Sequence, residues 1–409
     1  MLVSPLTLLR RLPPAVRLLI AGALVNRIGG FIVPFLAIVL RREFRLSPSE
    51  VGLLLTCYGA GSLVSVLVGG VVADRLGRRL AMMVSLFGGG GLACLMGLAP
   101  SIRIFIPLLV LFGFVADLYR PAASSVIGDL LAPAQRAVGF AALRTAINLG
   151  FAVGMAVGGV LADWSWRVMF FADGVTTLLY GLIIYFFVPE TRPSSPTAAA
   201  VRPPSGPSPW RDPVCIQLAI ASFCFALAFH TNVTALPLTI TVTAGYPAPI
   251  YGCLVGLNGL LIVLFEISAT EALRRFRRLR VAALGMALIA VGYGITGFVL
   301  SWAWFLLTVV LWTAGEILSS PQKLAFIADW SPPESRGRYL GLIQATWSLA
   351  TAVNPILFLP LYARLGDRAF WPLVALVALP GGLVLLHLDR VADRPELLRG
   401  AEPGAGVTS

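Results

Sequence analysis

Eight ionisable or amide side chains inside apolar runs carry the candidate chemistry: Asn26, Arg27, Asp117, Arg120, His230, Asn232, Glu266 and Glu316. In a bilayer each such charge costs roughly 2.5–3.5 kcal/mol, so these groups must face a partner or a watered cavity. The chemistry open to them is reversible proton binding and ion pairing. Asp117 and Arg120 share the segment Asp117-Leu-Tyr-Arg120-Pro121, and the carboxylate needs a positive partner, for which Arg27 and Arg120 are the candidates. Proton or substrate binding is expected to disturb that pairing. Glu316 precedes Ser320-Pro321, where a helix can break, and is the preferred proton site of the second half, with Glu266 as a further candidate. His230 offers an imidazole, either a proton carrier or a hydrogen-bonding group. Glu271 lies nearer a span end and reads as a partner of the arginines at 274–280. Nothing resembles a nucleophile triad, a nucleotide-binding loop or a metal cluster. The five cysteines, Cys57, Cys94, Cys215, Cys224 and Cys253, have no pairing or metal-like spacing and read as small apolar packing residues.

The elements that position these groups are long and apolar. With 58% apolar and only 12% charged residues, a chain of 409 residues cannot present a wetted globular surface. A spanning helix needs roughly 20 apolar residues. About twelve windows qualify by that rule, at 15–40, 48–73, 80–99, 102–130, 135–162, 166–188, 214–243, 250–272, 281–300, 302–328, 338–363 and 370–388. The formal charge of +12 does not imply a nucleic-acid partner, because the basic residues fall in short loops between windows. With both termini on one side, that side receives 20 of the 31 basic residues and the other side seven, which predicts cytoplasmic termini. Arg27, Arg120, Arg144 and Lys323 fall in or at the ends of windows. The first window exceeds a signal-peptide core in length and is expected to be retained. Asn232-Val-Thr234 fits a glycosylation triplet by chance, inside a window.

Between 189 and 212 the chain collects Pro193, Pro196, Pro203, Pro204, Pro207 and Pro209, the composition of a semi-extended linker. The two sides of this linker repeat one another. Pro121, Ile127, Asp129, Pro133 and Arg136 recur as Pro321, Ile327, Asp329, Pro333 and Arg336, each displaced by 200 positions. In the same register Arg75 and Arg78 correspond to Arg275 and Arg278, while Asp74 and Gly77 become Arg274 and Arg277. The reading is an N-terminal six-helix bundle at 1–188, a cytoplasmic linker at 189–212, a C-terminal six-helix bundle at 213–390 and a disordered cytoplasmic tail at 391–409.

The first hairpin reads Gly70-Val-Val-Ala-Asp74-Arg75-Leu-Gly77-Arg78-Arg79. Position by position it resembles the loop between the second and third helices of the major facilitator superfamily, and the resemblance covers the whole chain. It implies an all-α membrane protein with twelve transmembrane helices in two pseudo-symmetric six-helix bundles and a cavity between them. It also implies that Asp74 faces a positive partner across the interface near Arg336 and Arg338, and that Arg78 and Arg79 meet Asp129. Gly70, Asp74, Arg75, Gly77, Arg78, Arg79, Asp129, Arg136, Asp329 and Arg336 would then form a conformational latch. In the fifth window Gly150, Gly154, Gly158 and Gly159 resemble the glycine stretch of proton-coupled antiporters in this superfamily, with Met155 where the family usually has proline.

Asn26-Arg27-Ile-Gly29, Pro34-Phe35 and Tyr119-Arg120-Pro121 are most similar to the drug:proton antiporter branch. The implied function is proton-coupled efflux of amphipathic drug-like compounds, hydrophobic or cationic, with Asp117, Glu266 or Glu316 as counter-charge. The alternatives are a symporter importing a small metabolite, for which Met155 counts, an exporter of a lipid or siderophore, or a non-transporting membrane partner. The resemblance implies no enzyme activity and no cofactor beyond a proton gradient. Its implied partners are a small-molecule substrate, protons and the lipid bilayer. A monomer in the inner (cytoplasmic) membrane is the implied setting.

Overall fold

The computed structural model describes residues 12–191, 207–332 and 335–392, apart from the side chains of residues 70, 74, 133, 134, 137 and 392. Most of the linker, nearly all of the tail at 391–409, and Pro333 lie outside the described residues. Every regular element among the described residues is helical, and ten stretches are long and apolar enough to cross a bilayer. In chain order the helices of the first half are α1 (Pro14–Ile28), α2 (Ile32–Arg42), α3 (Pro48–Leu76), α4 (Arg78–Leu98), α5 (Ile102–Ala116), α6 (Tyr119–Leu130), α7 (Pro133–Trp164) and α8 (Trp166–Phe187). Those of the second half are α9 (Pro213–Phe229), the single turn α10 (Leu236–Leu238), α11 (Ala248–Ala272), α12 (Arg278–Gly294), α13 (Trp302–Trp330) and α14 (Arg336–Ala392).

Local chemistry sets where these helices begin. Ser47 and Glu50 form a reciprocal capping box that opens α3, with Ser47 N donating to Glu50 Oε2 at 2.7 Å. Asp212 accepts from the amides of Val214 and Cys215 and opens α9. Gly77 separates α3 from α4 at φ 108°, a conformation that residues with a Cβ resist. Large apolar side chains such as Ile267 (75% exposed) and Leu383 (66% exposed) point outward, as a lipid-facing surface requires.

Three windows are less regular than their hydropathy implies. The window at 15–40 is two helices, broken at residues 29–31. The broken end is held from another helix: the backbone N–H of Ile32 donates to Asp173 Oδ2 on α8 at 2.9 Å. The window at 102–130 likewise breaks at Asp117 and Leu118, between α5 and α6. Beyond α9, the window at 214–243 continues as tighter and wider turns around His230–Asn232 and Thr239–Thr243. In the opposite sense α14 runs through two windows, 338–363 and 370–388, with a kink at Gly366 where φ is 66°. At 17 residues α12 is shorter than the window at 281–300.

Asp173 therefore serves as an N-cap supplied from a neighbouring helix. Asp173→Ala leaves the Ile32 amide without its acceptor, and the loss of such a cap costs about 0.5–2 kcal/mol. The expected result is a lower melting temperature of the purified protein; an unchanged value would remove Asp173 from this role.

Packing between the two halves lies toward the end of the molecule away from the Gly77 hairpin. On one flank α3 meets α14: Thr56 donates to Ala352 O at 2.9 Å, and a Cβ on Gly59 would lie 2.7 Å from Thr351 O. On the other flank α7 meets α11, where Gly256 approaches Ala152 O and Gly259 approaches Asn148 O.

Candidate functional site

A cavity of about 490 Å³ lies between the halves. Its wall on the first-half side includes Arg27, Tyr58, Ser62, Asp117, Arg120 and Phe151; on the second-half side stand Phe229, His230, Asn232, Gln344, Trp347 and Thr351. A smaller chamber of about 80 Å³ adjoins it, reached by Asn26, Arg27, Asp117, Asp173 and Thr177. Both helix breaks open onto this space, so the backbone is irregular where it lines a cavity, as bilayer physics allows.

Of the two arginines proposed to neutralise Asp117, the structure places Arg120 there. Arg120 Nε lies 2.8 Å from Asp117 Oδ1, and the Ser62 hydroxyl donates to Asp117 Oδ2. The Asp117 side chain is 8% exposed and that of Arg120 52% exposed, so the acid is enclosed while the guanidinium reaches cavity water. Arg27 lies against the ring face of Phe151, 5.1 Å from its centroid, and its Nε is buried without a hydrogen-bond partner. Asn26 donates to Thr177 at 2.8 Å in the smaller chamber.

His230 carries a two-state hydrogen-bond arrangement. Its Nδ1 is 3.0 Å from Ala226 O, which can only accept, so Nδ1 bears a hydrogen. Its Nε2 is 2.6 Å from Thr351 Oγ1, and that hydroxyl is also 3.1 Å from Trp347 O. The single hydroxyl proton satisfies one neighbour at a time: Nε2 when the ring is neutral, Trp347 O when Nε2 itself donates. Asn232 is buried beside it, its backbone carbonyl accepting from the Tyr251 hydroxyl at 3.0 Å.

Glu266 and Glu316 do not line the cavity, which corrects their assignment as its counter-charges. Glu266 on α11 pairs with Arg144 on α7 at 2.8 Å, an ion pair across the two halves. Glu316 accepts from Asn258 at 2.8 Å in the packing of α11 against α13. Their helices are rotated to aim both acids at neighbours, and sequence position does not reveal rotation. Glu271 pairs with Arg274 at 3.5 Å, as its spacing implies.

At the hairpin, Arg78 meets Asp129 at 2.8 Å, and the repeat is realised as chemistry because Arg278 pairs with Asp329. Glu190 was not expected here; its carboxylate accepts from the backbone amides of Arg78 and Arg79 at the start of α4. Arg79 turns to Tyr185 O instead of Asp129. Arg75 is exposed, Gly70 is described as helical backbone, and the Asp74 side chain lies outside the described residues. Arg136 folds back on Leu131 O at 3.2 Å, and Arg336 is exposed with no ion pair among the described residues. The described hairpin contacts tie elements within the first half together, and the expected contact of Asp74 across the interface lies outside the described residues.

A cross-half clasp that sequence reading missed stands at the opposite end. Arg42 at the end of α2 pairs with Asp163 at the end of α7 at 2.7 Å; Asp163 Oδ2 accepts from Ala248 N, the first residue of α11, at 2.9 Å. Arg42 also donates to Thr241 O at 3.3 Å. Both side chains are about one-third exposed, so the pair itself is worth about 0–1 kcal/mol. Arg42→Ala is expected to leave the melting temperature nearly unchanged while raising hydrogen exchange at the start of α11. Unchanged exchange there would exclude a clasp.

In the glycine stretch, Gly150, Gly154 and Gly158 face the first window's two helices, and Gly159 faces α11. Helix α7 runs unbroken from Pro133 to Trp164, with Met155 buried in it.

The family model described as Major Facilitator Superfamily matches residues 18–322 and 218–408. An uncharacterized MFS-type transporter of Bacillus subtilis (strain 168), YttB, is 24% identical over 391 residues, covering 94% of this chain and 98% of that protein. A Na(+), Li(+), K(+)/H(+) antiporter of Planococcus maritimus is 24% identical over 399 residues, covering 89% and 92%. Among solved structures, a POT family transporter in complex with 5-aminolevulinic acid superposes with a TM-score of 0.79 at 16% identity, covering 93% of this chain and 96% of that one.

Proposed function

Because this chain belongs to the Major Facilitator Superfamily, and is a multi-pass membrane transporter and not an enzyme, we propose that it exports amphipathic compounds in exchange for protons. In this reading its windows form twelve spans, with six-helix bundles at 1–188 and 213–390 rocking about the cavity. The observation that carries the reading is Asp117: an enclosed carboxylate, paired with Arg120 and Ser62, on the wall of a cavity faced by both halves. Protonation of Asp117 releases Arg120, and this couples proton uptake to rearrangement of the wall. The antiporter of Planococcus maritimus supports proton exchange as the coupling mode.

The excess of basic residues on the hairpin side supports placing both termini in the cytoplasm; in this reading the protein works as a monomer in the inner membrane. The clasp of Arg42, Asp163 and Ala248 then closes the outer face, and the arrangement is an inward-facing one. When the halves rock, the clasp opens and the Gly70–Arg79 hairpin, with Asp74 at its centre, approaches Arg336 to latch the inner face. Cavity size favours compact substrates: about 490 Å³ falls within the roughly 300–1,000 Å³ of small-molecule sites, against a bulky lipid or siderophore. Symport of a small metabolite is the second reading, favoured by Met155 and the unbroken α7.

Cells producing the protein are expected to accumulate less of an amphipathic fluorescent dye than control cells, and collapse of the pH gradient by an ionophore is expected to abolish the difference. Dye accumulation above the control would favour uptake and overturn export.

A further inference from the structure

Two guanidinium groups and one carboxylate, those of Arg27, Arg120 and Asp117, face the main cavity, and the carboxylate is already committed to Arg120. Arg27 is left with the ring of Phe151 and no ion pair among the described residues. The one other acid nearby, Asp173, lines the smaller chamber, and its oxygens are taken by Ile32 N at 2.9 Å and Thr177 Oγ1 at 3.4 Å. A guanidinium held in a membrane-embedded cavity with no carboxylate at ion-pair distance is costly unless the ligand supplies one. Its planar fork matches a carboxylate or similar oxyanion in two parallel hydrogen bonds. Across the cavity Trp347 presents an aromatic surface, packed edge-on against His230 with ring centroids 5.0 Å apart.

From this geometry we infer that the cavity selects organic anions, the acid group on Arg27 and an aromatic or apolar body between Phe151 and Trp347. This rests on the reading of the cavity as the substrate site, and it reverses the expectation of a cationic substrate, which Arg27 repels and for which no uncommitted acid remains on the cavity wall.

The test compares three probes of matched shape, 4-phenylbutyrate, 4-phenylbutylamine and 4-phenylbutanol, by calorimetric titration of the purified full chain near neutral pH. The acid is expected to bind at least about tenfold more tightly than the amine, a difference of about 1.4 kcal/mol. Arg27→Gln is expected to bring the acid down to the alcohol's affinity, and Arg27→Lys to restore part of the preference. Equal or tighter binding of the amine overturns the inference, as does absence of acid binding, or acid affinity unchanged in a folded Arg27→Gln protein. Liposome flux separates this inference from the transport reading. An Arg27-dependent acid preference without any flux supports the anion site while export fails. Proton-coupled export of the amine alone supports export while the anion site fails.

Discussion

Asp117→Asn is expected to uncouple substrate movement from the pH gradient while leaving the protein folded. An amide keeps the volume of the carboxylate and an oxygen for the Ser62 hydroxyl, but it neither holds a proton reversibly nor pairs with Arg120 as an anion. Breaking a fully buried pair costs about 3–5 kcal/mol. The cost here is smaller, because Arg120 is 52% exposed to the cavity and stays solvated. The functional effect is large. One-for-one exchange driven by a gradient of one pH unit, worth 1.36 kcal/mol, supports about tenfold substrate accumulation. In the Asn variant accumulation should fall to the level of passive equilibration. Accumulation that still follows the gradient would show that the proton travels elsewhere.

The second large effect is structural. A Cβ at Gly154 would stand 2.7 Å from Ile28 O and 2.8 Å from Arg27 O, both backbone atoms beside the break between α1 and α2. Neither carbonyl can move without shifting the helix end that carries Arg27. Gly154→Val adds still more bulk, so its destabilisation should reach or exceed the roughly 1–3 kcal/mol typical of overpacking. Loss of folded yield, or a markedly lower melting temperature, is the expected result. Gly91 is the control, since a Cβ there meets nothing within 4 Å. Gly91→Ala should be neutral or gain about 0.5–1 kcal/mol, as for an unobstructed helix position. Equal behaviour of the two variants would show that close packing of α7 on the first window is unimportant.

These outcomes depend on features of unequal legibility in the sequence. The long helices were readable because a bilayer demands a run of apolar residues, a one-dimensional property. Arg78 with Asp129 was readable because the hairpin motif holds Arg78 and the 200-residue repeat holds both positions, and Arg278 pairs with Asp329 in the same register. The break after Ile28 was not, because it is stabilised by Asp173, 141 positions away from Ile32 and on another helix. Hydropathy averages over such a break.

Glu266 and Glu316 illustrate the same limit. Their polarity marked them as needing partners, correctly, but only the packed helices reveal that the partners are Arg144 and Asn258 and not a substrate. Arg42 and Asp163 were invisible for a different reason. At window ends they read as ordinary interfacial charges, and only the fold brings α2, α7 and the start of α11 together. Among the cavity residues, Asp117, Arg120, Arg27, His230 and Asn232 were legible as polar interruptions. Tyr58, Phe151, Phe229 and Trp347 were not, since an aromatic residue facing a cavity and one facing lipid look alike in sequence.

Proton exchange through Asp117 is tested most directly with purified protein in liposomes that enclose a pH-sensitive dye, with candidate amphipathic compounds added one at a time. The account predicts proton movement opposite to substrate movement in the unaltered protein and none coupled to substrate in Asp117→Asn. Protons moving in the same direction as the substrate, or coupling that survives in the Asn variant, would contradict it.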